Sequence, residues 1–306
     1  LEAHGEFSAP KVDDMLRQVQ FLGGDSRRVA LVTDSACDLP AELLDRHRID
    51  VVPVMLRFGA REYLDQVTLR PGRFYRKLRE EPEFPTSSQP SPARFETLFR
   101  FLARHHDSIL ALQLSSQLSG TWNSAVQAAQ RVEDARIDVV DSRLLSAAQG
   151  LLLLEAAEAR QRGAGHDELL ALLERGRRNA RIFVAVPSLQ SMVRGGRVSP
   201  AKGLLARWLN LKPVISLDED GRSLALGRAH SQAGARRDIE KRLLKLRREG
   251  RLRRYAVVHA DHAEGARRWS ARLAELLDLE CEYRFDISPV IGLHAGPGTL
   301  AVALLG

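Results

Sequence analysis

The chain has 306 residues, of which 44% are hydrophobic and 28% charged, and a formal net charge of +7. That length suits one large or two ordinary domains with packed cores and argues against disorder. No run of about 18 apolar residues occurs, which disfavours a spanning helix, and the two cysteines, Cys37 and Cys281, make neither a disulfide framework nor a zinc knuckle.

Residues 1–27 hold one amphipathic helix, "KVDDMLRQVQFL", and a linker-like "GGDSRR". The start lacks both a Met and a signal-peptide apolar region, so the expectation is a cytoplasmic protein whose first residues connect to a preceding domain. From residue 28 the pattern alternates. "VALVTDS" reads as a strand, "LPAELLDRH" as a helix with Pro40 near its start, and "IDVVPVMLRF" as one second strand. "PGRFYRKLREE" is a helix, "FPTSSQPSP" a loop, "ARFETLFRFLARHH" a helix, "SILALQL" a strand and "TWNSAVQAAQRV" a helix. "RIDVVDS" is a further strand, and two helices fill about 144–179. Such alternation predicts parallel βαβ units, with ligands at the strand C-terminal ends.

The second half opens with "RIFVAVPSLQSM", a glycine loop "RGGRVS" and a helix "PAKGLLARWL". "LKPVISL" and "SLALGRAHS" flank the hairpin turn signal "DEDGR". A basic helix over 236–254, then "YAVVHA", "EGARRWSARLAELL", "ECEYRFDIS" and "TLAVALL", complete a smaller, mixed α/β unit. The predicted organisation is a linker over 1–27, a parallel α/β domain over 28–180 and a mixed α/β domain over 181–306.

Several chemistries lack their motifs. There is no Walker loop, no G-x-S-x-G elbow, no H-E-x-x-H and no G-x-G-x-x-G after the first strand. No metal cluster is picked out. Three hydroxyl-rich segments, "TDSACD", "TSSQPS" and "SSQLSGT", instead fall near strand-to-helix handovers. Ser115, Ser116, Ser119 and Thr121 offer hydroxyls where helix N–H groups favour an anion; equally, Ser119 is simply a helix cap. Asp34 and Ser35 end the first strand, and Asp34 is either part of a site or a cap. Cys37 has no local base. Gly195 and Gly196 bring backbone close to a ligand, and Arg194 and Arg197 can fork onto a carboxylate or phosphate. His294 stands between Gly292 and Gly296. The pI of about 9.8 raises nucleic acid as a partner, but the arginines are scattered and few aromatics interleave with them. The basic helix either solvates an outer face, with Arg237, Lys241 and Arg248 on one side, or docks on an acidic partner or transiently on an anionic membrane.

The ordered series "TDSACDLP", "PTSSQPS", "SSQLSGTWNSA", "VVDS…G", "GGRVS…LKPVI" and "GLHAGPG" resembles the DegV family over nearly all of 29–306. The resemblance implies two α/β domains holding a long-chain fatty acid between them. It also implies a non-enzymatic role as the lipid-binding subunit of a bacterial fatty acid kinase system in phospholipid metabolism. In that role the chain hands the acyl carboxylate to an ATP-binding subunit or fused domain, which makes an acyl phosphate, with no cofactor of its own. Carried over residue by residue, the carboxylate site comprises Ser87, Ser88, Ser115, Ser116, Ser119, Gly120, Thr121 and His294. Ser87 stands where the family has Thr, and Trp122 where it often has Tyr. Gly195, Gly196 and Arg197 would support phosphoryl transfer or partner docking. An ionised carboxylate needs positioning and charge neutralisation rather than a base. Each tail methylene is worth about 0.8 kcal/mol on burial, and "LLSAAQGLLLLEAA" and "GLLARWLNL" are candidate tunnel walls. The rival reading is an acyl-ester hydrolase or transferase using Ser119 and His294.

Overall fold

The structure, a computed structural model, describes residues 29–197 and 211–306. The amphipathic segment of 1–27 and all but Leu211 of the second candidate wall, 203–211, lie outside the described residues.

The first domain is built on a four-stranded parallel sheet in the order β2-β1-β6-β7. β1 (Val29–Asp34) and β6 (Ser108–Gln113) are buried along their whole length, as central parallel strands covered on both faces must be. Alternate residues point to opposite layers. Ala30, Val32, Ile109 and Ala111 pack with Phe95 and Phe99 of α3 (Pro92–Ala103) and Ala125 and Ala128 of α4 (Thr121–Ala129). Leu31, Leu110 and Leu112 face the other way, into the largest core cluster. β7 is Arg136–Asp141, and α1 (Ala41–Arg46) leads into β2.

The expected single strand 49–58 is two strands. β2 (Ile49–Val52) joins the parallel sheet, while β3 (Met55–Phe58) pairs antiparallel with β4 (Arg61–Leu64) and β5 (Thr86–Ser88). Pro53 lies between them and has no N–H to continue a ladder. The expected loop 84–92 therefore contains a strand, and α2 (Pro71–Glu80) spans the gap between β4 and β5.

The second domain carries a six-stranded mixed sheet, β10-β9-β8-β13-β11-β12. It has more strands than the parallel sheet, although its domain is the shorter stretch of sequence. Its members are β8 (Ala180–Ala185), β9 (Lys212–Leu217), β10 (Ser223–Ala229), β11 (Arg254–His259), β12 (Arg284–Asp286) and β13 (Leu300–Leu305). One face packs Phe183, Val214, Val257 and Val302 against α8 (Gln232–Arg248) and α9 (Ala263–Leu277). No helix among the described residues is long and apolar enough to cross a membrane.

Between the two sheets runs α5 (Ser146–Gln161), followed by α6 (His166–Gly176). The side chains of α5 from Ser146 to Leu154 are all buried, the mark of a helix enclosed on every side. It touches β6 of the first domain and β8, β11 and β13 of the second. The one large polar residue of that buried stretch, Gln149, donates to Thr33 Oγ1 at 3.0 Å, Asp34 Oδ2 at 3.3 Å and the Leu112 carbonyl at 3.3 Å. Salt bridges from Arg253 to Glu155 (3.0 Å) and from Arg254 to Glu158 (2.7 Å) tie its outer end to β11.

Three buried carboxylates reinforce this seam. Asp34 caps the turn after β1, accepting from Ala36 N at 2.9 Å, and reaches across to Leu114 N at 2.7 Å. Asp38 accepts from Ser146 Oγ at 2.5 Å and from Ser288 N at 2.8 Å. Asp65 accepts from Val290 N at 3.2 Å. Asp38 and Asp65 thus hold the start of α10 (Pro289–Ala295) from the other domain.

Burial, opposed by the Ser146 and Ser288 hydrogen bonds, pushes Asp38 up from 3.8 to about 7. The folded chain then keeps a proton that the unfolded chain releases, and stability from this group falls as pH rises between those values. Asp38→Asn cannot titrate. Its stability relative to wild type is expected to improve as pH rises from about 4 to about 8, read by denaturant unfolding across a pH series. A difference independent of pH would show that Asp38 titrates alike in both states.

Candidate functional site

A cavity of about 1000 Å³, measured out to its mouth, opens between the two domains. Its walls are predominantly apolar. Val54, Leu114, Leu118 and Leu145 come from the first domain, and Ile182, Val184, Ile215, Leu217, Val258 and Ala301 from the mixed sheet. These sheet residues alternate with the ones that face α8 and α9, so period 2 of the strands divides one core from one cavity. Of the candidate wall 144–157, Leu145 and Ser146 border the space, while Ala147 and Leu151 to Leu153 are ordinary core and Leu154 is also buried.

The polar lining is gathered by contiguous contacts. Ser87, held in place by β5, lies 3.2 Å from His294 Nε2 on α10. His294 packs on Gly195, where a Cβ would fall 2.0 Å from Nδ1. Glycine is required there for space. At Gly196, with φ +70°, it is required for conformation. Arg197 donates to the Gly195 carbonyl at 2.6 Å and to the Leu118 carbonyl at 3.3 Å. Ser119 follows, its Oγ 2.8 Å from Thr121 Oγ1 and accepting from Thr121 N at 3.3 Å. The N-cap of α4 is Gly120, so Ser119 is not the cap itself, although it bonds the first helical N–H while lining the cavity.

The sequence reading grouped eight residues as a carboxylate site, and the structure divides them. Ser87, Ser88, Ser119 and His294 line the cavity, with Arg197. Ser115, Ser116, Gly120 and Thr121 do not, because their groups are engaged elsewhere. Ser115 Oγ donates to the Gly221 carbonyl at 2.9 Å, which joins the two domains. Ser116 Oγ donates to Asp141 at 2.6 Å. Thr121 is buried at the start of α4, and Gly120 leaves room for Gln89, whose Oε1 would stand 1.8 Å from a Cβ there. Asp34 and Ser35 are buried and structural. Ser35 Oγ accepts from Val54 N at 3.0 Å, and Asp34 is raised to about 6 by burial. The Cys37 thiol is buried and pushed far up by that burial, which makes it inert. Arg194 is exposed and stacks over Phe84 at 5.6 Å.

Ser146, inside the candidate wall, and Gln89, in the "TSSQPS" loop, also line the cavity, although the sequence assigns neither to the carboxylate site. Ser146 opens α5 with φ +55°, a backbone state uncommon outside glycine, while donating to Asp38. Nothing in "LLSAAQG" signals it; only the tertiary partner does.

Electrostatically the site is an uncompensated cation beside neutral polar groups. Burial, and secondarily the Arg197 charge, pushes His294 from 6.5 down to about 3, so its imidazole is neutral at pH 7. Its Nδ1 is buried without a hydrogen-bond partner. Arg197 is part-buried, has its own pKa lowered by burial, and pairs with no acid among the described residues. The cluster offers hydroxyls, an imidazole and a guanidinium to an anion whose remainder is apolar.

Gly195→Ala should drive its methyl into the His294 ring and break the Ser87 contact. The expected loss is about 1–3 kcal/mol of stability from overpacking, with a changed His294 signal in proton–nitrogen NMR. An unperturbed ring and stability would show that the loop yields instead.

A family model described as "Uncharacterised protein, DegV family" matches residues 28–306. A DegV domain-containing protein of Caldanaerobacter subterraneus is 32% identical over 275 residues, covering 90% of this chain and 98% of the relative. A DegV family protein from Thermus thermophilus, described by its fatty acid binding, superposes with a TM-score of 0.81 at 34% identity, covering 91% of this chain and 100% of its own. DegV from Bacillus subtilis, described as a fatty acid binding protein, gives 0.84 at 29% identity, covering 92% and 99%. A stearic-acid-binding protein from Eubacterium ventriosum gives 0.82 at 26% identity, covering 91% and 98%. With the family model matched over residues 28–306 and the fold shared with these solved structures, this chain belongs to the DegV family.

Proposed function

We propose that the chain is a carrier that binds a long-chain fatty acid in the interdomain cavity and delivers its carboxylate to a partner kinase for acyl phosphate formation. One observation carries the reading: an apolar cavity meets a polar cluster whose cation, Arg197, has no acid partner among the described residues. A carboxylate near Arg197, Ser87, Ser119 and His294 would neutralise that cation and satisfy hydroxyl and imidazole groups. The tail would take the walls from Ile182 to Ala301. The fatty-acid-binding relatives support the ligand class. The kinase partner rests on the resemblance and on chemistry, since an ionised carboxylate attacks a phosphoryl group once positioned and charge-neutralised.

The hydrolase reading has less support. Ser119 is bonded to Thr121, and His294 pairs with Ser87 instead. No acid orients Nδ1, and an imidazole with a pKa near 3 is a weak general base at neutral pH.

Native mass spectrometry of protein purified from cells should show a mass excess matching one fatty acid. Protein without bound lipid that also fails to take up added fatty acid would end the reading. Ser119→Ala should weaken fatty acid binding by about 1–2 kcal/mol, the scale of a hydrogen bond to a charged acceptor. Unchanged affinity and unchanged acyl phosphate yield with the kinase subunit would leave Ser119 with its contact at the start of α4 alone.

A further inference from the structure

The basic helix α8 lies on the face of the mixed sheet away from the lipid cavity, because Val257 faces α8 and α9 while Val258 lines the cavity. It does not border the cavity mouth. Two of its arginines are structural. Arg242 donates to Asp238 at 3.0 Å and to the Leu226 carbonyl at 3.1 Å, and Arg247 caps the end of α9 through the Leu277 and Asp278 carbonyls, both at 3.0 Å. A second group of arginines is only partly engaged in this way. α8 and α9 enclose a cleft of about 840 Å³, measured out to its mouth. It is bordered by Arg236, Arg237, Arg268, Arg272 and His262, with Glu240 as the one acid in its lining. Glu240 is already used: its Oε1 accepts from Trp269 Nε1 at 3.1 Å and from Arg272 Nε at 3.0 Å, and its Oε2 from Arg272 at 3.1 Å. Arg236 and Arg237 make no hydrogen bond or ion pair with a described residue, although Arg236 is part-buried. At the rim, Glu264 pairs with Arg267 at 2.8 Å and only loosely with Arg268, at 3.3 Å.

We propose that this cleft binds a small phosphate-bearing ligand. Glu240 and Glu264 offset Arg272 and, loosely, Arg268, so Arg236 and Arg237 leave a local positive potential at the cleft. Guanidinium forks match phosphate oxygens in pairs, and a concave setting lets several converge on one group. Arg272, fixed by Glu240, is pre-oriented, while Arg236 and Arg237 approach from the first turns of α8. The cleft also lies beside the first turn of α9, whose N–H groups have no side-chain cap, so the helix dipole adds to the arginines. Trp269 forms an apolar floor for whatever carries the phosphate. A concave cleft with one directed cluster favours a discrete phosphate ester over a flat lipid surface. The site is independent of the fatty-acid reading, being on the other side of the sheet.

Isothermal titration of the full chain with inorganic phosphate and with phenyl phosphate, at constant ionic strength and with chloride as control, tests this. Saturable binding to both is expected, at least tenfold weaker in Arg236→Gln/Arg237→Gln, with bound lipid unchanged by native mass spectrometry. Arg237→Gln alone, at an exposed position, should weaken binding severalfold and keeps the test open if the double variant misfolds. No saturation, equal affinity in the variants, or association only with phosphatidylcholine vesicles containing phosphatidic acid would overturn the proposal.

Discussion

The burial of α5 between two unlike sheets is the constraint on which the rest depends. A helix covered on every side has no polar face to spare, so its composition is small residues and leucines, and its few polar groups must find partners in the strands. Gln149 does so at the ends of β1 and β6, and Ser146 does so at Asp38. The same helix closes the core of the parallel sheet and forms part of the core of the mixed one. The two domains of the sequence are therefore two lobes around one shared helix, and the cavity is the space along this seam that side chains do not fill.

Charge in the seam is arranged so that burial suppresses it. Asp34 and Asp38 are lifted toward neutrality, and His294 is kept neutral from the other direction. These act with opposite sign on stability. The raised carboxylates weaken the fold as pH rises through their folded values, whereas the depressed imidazole weakens it as pH falls below its ordinary 6.5. Arg197 is the group that burial cannot neutralise at pH 7, and it stands at the polar part of the cavity. An anion there is what the local electrostatics leave unfilled.

Much of this was legible in residue order. Alternation of apolar strands with amphipathic helices declared the α/β class, and the hydroxyl-rich handovers pointed to the right edge of the sheet. What residue order could not do was separate hydroxyls that face a cavity from those that staple backbone. Ser115 and Ser119 are four residues apart in one loop, yet one bonds the Gly221 carbonyl across the domains and the other lines the cavity. That difference depends on a hairpin a hundred residues downstream. The break of 49–58 into two strands was signalled by Pro53, and its meaning, a small third sheet carrying Ser87, came from pairing with a segment that reads locally as loop. Asp38 and Asp65 went unnoticed because their partners, the Ser288 and Val290 N–H groups and the Ser146 hydroxyl, are distant in sequence and carry no signature.

Sharing α5 also limits how anything enters the cavity. Burying a leucine is worth about 1.5–3 kcal/mol, so Leu151, Leu152, Leu153 and Leu154 together represent about 6–12 kcal/mol of enclosure. Parting the sheets would strip α5 from one of them, and even half of that figure, about 3–6 kcal/mol, approaches the lower end of the stability of an ordinary domain, about 5–15 kcal/mol. A clamshell motion is therefore the most costly route. The rim, where Gly195 packs on His294 and His294 meets Ser87, is then the less costly place for a ligand to enter, because opening there leaves the leucines of the helix buried.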